Sequence, residues 1–152
     1  MKKMFSILLL LLLSIANASA RAVFRADDRT VEQLKAEAEH SDGQQGRLYA
    51  EIAEKLVAVA DKHFTDAESV KGHATVKEIL DYAIKARDAV VKTRKKMKET
   101  EIHLRECRRR LEAMRRTLAA EDRPSVEAVE KQLEELGSEI LNAMFSPAKG
   151  HK

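Results

Sequence analysis

The chain has 152 residues, 35% of them charged and 4% aromatic, with no tryptophan, one cysteine and a formal net charge of +3. This length supports one ordinary domain, and the scarcity of glycine (five) and proline (two) favours long helices over sheets. A single cysteine excludes a disulfide scaffold, so packing alone must hold the fold.

Lys2 and Lys3 precede an uncharged apolar run at 5–15, FSILLLLLLSI, which is followed by ANASA at 16–20. A positive start, an apolar middle and small residues at the end describe a secretory signal peptide over 1–20, cleaved before Arg21. The apolar stretch is about 12 to 16 residues, short of the ~20 a helix needs to cross a bilayer. Loss of Lys2 and Lys3 lowers the net charge from +3 to +1, so the overall basicity carries little information about partners. The expected mature protein is exported to the periplasm or the extracellular space, has a flexible N-terminus at 21–29 and lacks a transmembrane span.

Thr30 and Gln33 fit a capping box that opens a short helical stretch to about His40, and the turn-rich SDGQQG at 41–46 ends it. From about Arg47 to Phe64, Leu48, Ile52, Leu56 and Val59 recur at helical spacing, with Tyr49, Ala53, Val57 and Ala60 widening the stripe. Residues 65–74 read as a linker. Thr75 and Glu78 form a second capping box, after which neither proline nor glycine appears until Pro124.

This uninterrupted stretch predicts a single helix over about 75–119, near 65 Å long at 1.5 Å per residue. Steps of seven give Val76, Ala83, Val90, Met97, Leu104, Leu111 and Leu118, a complete apolar a column. The d column is weaker: Ile79, Ala86, Thr93, Thr100, Cys107 and Met114. Pro124 marks a reversal, and Val126, Val129, Leu133, Leu136 and Ile140 make a last helix over about 124–145. The expected fold is all-α, an elongated helical hairpin or three-helix bundle built on the long coiled-coil-like helix, with antiparallel neighbours at about 47–64 and 124–145. It forms one domain over 30–145, followed by a disordered tail at 146–152.

Charge segregates along the chain. Residues 85–116 carry 13 basic residues against 5 acids, 121–145 carry 7 acids against 2 bases, and 27–68 carry 11 acids against 5 bases. A parallel homodimer of the long helix would oppose Arg87, Arg94, Arg108 and Arg115 at e with Lys96 and Arg110 at g. Pairing with the acidic helices of the same chain reverses the sign, so a monomer is expected.

Lys95, Lys98, Arg105, Arg109 and Arg116 occupy outward positions and are the candidate contacts for an anionic partner. Export and the absence of interleaved aromatics argue against nucleic acid. Cys107 lies on the seam, where it is either a small buried residue or a thiol activated by Arg105, Arg108, Arg109 and Arg110. His40, His63, His73, His103 and His151 lack metal-ligand spacing, and His63 can approach His73 only if the linker folds back. No nucleophile motif or phosphate loop is present, and no catalytic residue or cofactor is expected. The sequence therefore points to an exported, non-enzymatic structural or interaction protein of the cell envelope. Its alternatives are a binder of anionic lipid or polysaccharide through 92–116 and a periplasmic adaptor or chaperone-like module.

Overall fold

The computed structural model describes residues 29–147. The expected signal peptide at 1–20, nearly all of the expected flexible segment at 21–29 and most of the expected tail at 146–152 lie outside the described residues. The compact unit starts at Val31 and contains five helices: α1 (Val31–His40), α2 (Gln45–Thr65), α3 (Ser69–Thr93), α4 (Met97–Thr117) and α5 (Arg123–Phe145). The all-α class and the bundle-like packing agree with the sequence pattern. Among the described residues no helix is long and apolar enough to cross a membrane.

The principal correction concerns the long helix, which is two helices. Arg94 and Lys96 adopt left-handed φ values of 60° and 57°, and the chain reverses between them. Each non-glycine residue in that region costs about 1–2 kcal/mol. Hydrogen bonds stabilise the reversal: the Arg94 amide donates to the Val90 carbonyl at 2.8 Å, and the Thr93 hydroxyl donates to the Ala89 carbonyl at 2.8 Å. The larger compensation is tertiary. An unbroken helix would outrun partners of 21 and 23 residues, whereas the reversed chain buries both halves of the stripe. Val76, Ile79 and Val90 on α3 are buried, as are Met97, Leu104 and Leu111 on α4. Each such side chain contributes about 1.5–3 kcal/mol, which outweighs the two strained residues.

The partners of the expected hairpins change accordingly. α2 packs on both α3 and α4, and α5 likewise packs on both, so the bundle has four helices with α1 laid against α2. α2 is antiparallel to α3, since Gly46 faces Val90 and Phe64 faces Gly72. It is parallel to α4, because Glu54 meets His103 and Arg110 while Asp61 and Thr65 line a pocket with Thr117 and Leu118. α5 is antiparallel to α4 through Arg108–Glu134 and Arg115–Glu130, and parallel to α3 through His73–Asp122 and Arg87–Glu139. α3 and α4 are neighbours in sequence but touch little, and they occupy diagonal corners of the bundle.

The expected linker is mostly helix, for α3 begins at Ser69 and only residues 66–68 turn the chain. Two glycines allow the close approach of α2 and α3. A Cβ on Gly46 would lie 2.2 Å from Val90 Cγ1, and one on Gly72 would lie 2.7 Å from the Phe64 ring.

Candidate functional site

The α3–α4 reversal concentrates charge at one pole of the bundle. Five of the seven residues at 92–98 are basic, and Lys92, Arg94, Lys95, Lys96 and Lys98 are all exposed. The left-handed residues turn these side chains outward over less than two helical turns of chain. Arg94 Nη2 donates to the Ser146 carbonyl at 2.7 Å, tying the end of α5 to the pole. Lys96 pairs with Glu99 at 3.1 Å. Glu99 is held below the ordinary carboxylate range by a hydrogen bond from its own backbone amide at the start of α4, and then by Lys96. Lys92, Lys95 and Lys98 form no side-chain hydrogen bond or ion pair among the described residues. Lys95 lies over the α1–α2 turn, where a Cβ on Gly43 would come within 2.8 Å of its Cδ.

Elsewhere the arginines of the basic segment are matched by carboxylates, and Lys85 lies over the Tyr82 ring. Arg105 pairs with Glu101 at 3.5 Å, Arg109 with Glu106 at 2.6 Å and Arg116 with Glu112 at 2.5 Å. Arg110 reaches Glu54 of α2 at 2.8 Å, and Arg115 reaches Glu130 of α5 at 2.7 Å. Hydrogen bonds from Arg109 and Arg110 hold the Glu106 carboxyl down at about 2. The five candidate contacts are therefore divided. Lys95 and Lys98 make no direct ion pair among the described residues, although the Lys98 charge helps to lower Glu99, while Arg105, Arg109 and Arg116 are each engaged within α4.

Two of the grooves that border α4 have arginines beside them. One, of about 380 Å³, lies between α2 and α4 over Val57, Ala58 and Met114, and its rim arginines, Arg109 and Arg110, are held by Glu106 and Glu54. The other, of about 250 Å³, lies between α4 and α5 over Leu133, Gly137 and Leu141, with Arg105 and Arg108 beside it.

Cys107 is fully buried. Burial, followed by the charge of Glu54, pushes its thiol well above the ordinary range and overrides Arg110. Of the two readings of Cys107, a small buried residue or an activated thiol, the structure bears out the buried one, because burial outweighs the nearby Arg110 charge.

The opposite pole holds a cluster that sequence spacing does not reveal. The turn at 66–68 does fold back: His63 Nδ1 lies 2.9 Å from Glu68, and the His73 ring sits edge-on to Phe64 at 5.3 Å. His73 Nε2 lies 2.9 Å from Asp122 Oδ1, and its Nδ1 lies 2.8 Å from Ser125 Oγ. Serine, histidine and aspartate repeat the composition of a hydrolytic triad, but here the Ser125 hydroxyl also donates to the Asp122 carbonyl at 3.0 Å. That engagement makes the cluster a brace between α3 and the start of α5. Asp122 before α5, with Ser125 three residues on, carries a faint helix-start signal, whereas the link to His73, 49 residues earlier, carries none. No group of three or more His, Cys, Asp or Glu side chains is arranged to hold a metal among the described residues.

Comparison with protein-family models, with curated protein sequences and with solved structures finds no match to the chain. The class is therefore defined by fold and site alone: a four-helix bundle with an additional N-terminal helix and a cluster of exposed cations at one pole.

Proposed function

We propose that the chain is an exported, non-enzymatic interaction module of the cell envelope that receives an anionic partner at its basic pole. The supporting observation is the division of cations: α4 arginines meet carboxylates, while Lys92, Lys95 and Lys98 make no direct ion pair among the described residues. A polyanion neutralised by such lysines releases its own condensed counterions, with no existing ion pair to break first. The adaptor reading needs a seam open near Thr93 and Thr100: Thr93 is exposed where α3 ends, but Thr100, whose hydroxyl donates to the Lys96 carbonyl at 2.8 Å, is completely buried, which weighs against it.

The test measures binding to a soluble polyanion, sulfated dextran, over a range of salt concentrations. The chain from Arg21 onward, which retains every core residue, is compared with its Lys92→Gln/Lys95→Gln/Lys98→Gln variant. The variant is expected to lose affinity and to show a shallower salt dependence. Equal affinity of the two proteins would remove the pole from the proposal. Export is tested separately by N-terminal sequencing of protein recovered outside the cytoplasm, which should begin at Arg21.

A further inference from the structure

We infer that the partner received at the basic pole is an anionic lipid surface, entered by the side chains of Ile102, Leu141 and Phe145. This inference rests on the pole reading above and adds the chemistry of the partner.

Cations alone would suit any polyanion. The exposed apolar residues beside them narrow the choice. Phe145, the last residue of α5, is 84% exposed, although the residue after it is fastened to the pole by Arg94. Leu141 lies one turn earlier on the same face of α5 and is 39% exposed. Ile102, 42% exposed, stands four residues after Lys98 and three before Arg105, so these three share the outer face of α4. The Arg108–Glu134 pair between α4 and α5, and the contact of Arg94 with Ser146 just beyond the helix ends, set the register and place Ile102 at about the level of Leu141. Large apolar side chains thus stand exposed on the α4 and α5 side of the bundle towards this pole, with Lys98 and Arg105 on the same face as Ile102.

A hydrated polysaccharide gives an exposed phenylalanine no apolar medium to enter. A bilayer interface supplies one directly beneath its headgroup charge, so one approach satisfies both the cations and the ring.

The chain has no tryptophan, so Phe145→Trp gives a single fluorescent reporter at the contact point. The experiment uses the chain from Arg21, vesicles of phosphatidylcholine with one quarter phosphatidylglycerol, vesicles of phosphatidylcholine alone, and sulfated dextran. Phe145→Trp should shift its emission to the blue on the anionic vesicles only. The Leu141→Ser/Phe145→Ser variant should bind anionic vesicles at least tenfold more weakly while keeping its affinity for sulfated dextran. Each of Lys92, Lys95 and Lys98, changed to Gln, should lower vesicle affinity about fivefold. Because Leu141 and Phe145 lie on the surface, unchanged helicity and melting temperature confirm that the double variant is folded. Binding to sulfated dextran without binding to vesicles would overturn the lipid inference and leave the pole reading standing. Vesicle affinity that does not change in the double variant would do the same. Failure to bind either the polymer or the vesicles would overturn both.

Discussion

Replacing Lys96 with glycine distinguishes the reversed chain from a continuous helix by the sign of its effect. Lys96 sits at φ 57° and ψ 25° immediately before α4. A side chain in that conformation costs about 1–2 kcal/mol, which glycine does not incur. Glycine gives back part of that gain, about 0.5–1 kcal/mol, through the greater freedom of the unfolded chain. Loss of the exposed Lys96–Glu99 pair costs a few tenths of a kcal/mol more. The net expectation is stabilisation by about 0.5 kcal/mol. In an unbroken helix the same substitution would destabilise by about 1 kcal/mol. Urea unfolding followed by circular dichroism reads the difference directly. A midpoint raised at constant slope supports the reversal, and a midpoint lowered by the equivalent of about 1 kcal/mol would refute it.

Further expectations follow from packing and titration. Gly137→Ala should stabilise by about 1 kcal/mol, because its methyl group meets nothing in the middle of α5. Gly46→Ala should instead destabilise by about 1–3 kcal/mol, since its Cβ would lie 2.2 Å from Val90 Cγ1 and 3.0 Å from the Ala86 carbonyl oxygen. Melting curves of the pair should move in opposite directions, and movement in the same direction would contradict the approach of α2 to α3. The Cys107 thiol should react with maleimide only as fast as the bundle opens, and labelling of the native protein within minutes would refute its burial. Glu106 is depressed in the folded state from an ordinary 4.5 to about 2, so its contribution to stability is complete above about 4.5 and is lost as pH falls towards 2. Glu68 and Glu99 are lowered in the same sense. The urea midpoint should therefore fall between pH 5 and pH 2, and Glu106→Gln should flatten part of that fall.

The heptad reading identified buried residues better than it identified the helix. All seven residues of the a column, from Val76 to Leu118, are buried, and so are Ile79, Ala86, Thr100, Cys107 and Met114 of the d column. The reversal was not legible because neither Thr93 nor Lys95 is a helix breaker, and left-handed arginine and lysine have no sequence signature. What drives the break is the length of the helices that must cover the stripe, a tertiary quantity. Charge was legible where pairing is local: Glu101–Arg105, Glu106–Arg110 and Glu112–Arg116 lie at i,i+4 spacing. Arg115–Glu130, Arg87–Glu139 and His73–Asp122 required the bundle first.

The reversal also bears on assembly. A coiled-coil dimer would need the a and d columns to face a second copy, but α2 and α5 already cover both halves of the stripe within one chain. What remains outside among the described residues is largely charge, paired along α4 and clustered as exposed cations at 92–98, with scattered apolar side chains such as Val70 and Phe145. The chain from Arg21 should therefore sediment as a monomer at any salt concentration, and oxidation should not produce a Cys107-linked dimer. A salt-independent dimer would mean that the seam is shared between chains. The turn at 94–96 would then be a hinge between protomers, and the lysines it displays would belong to an interface.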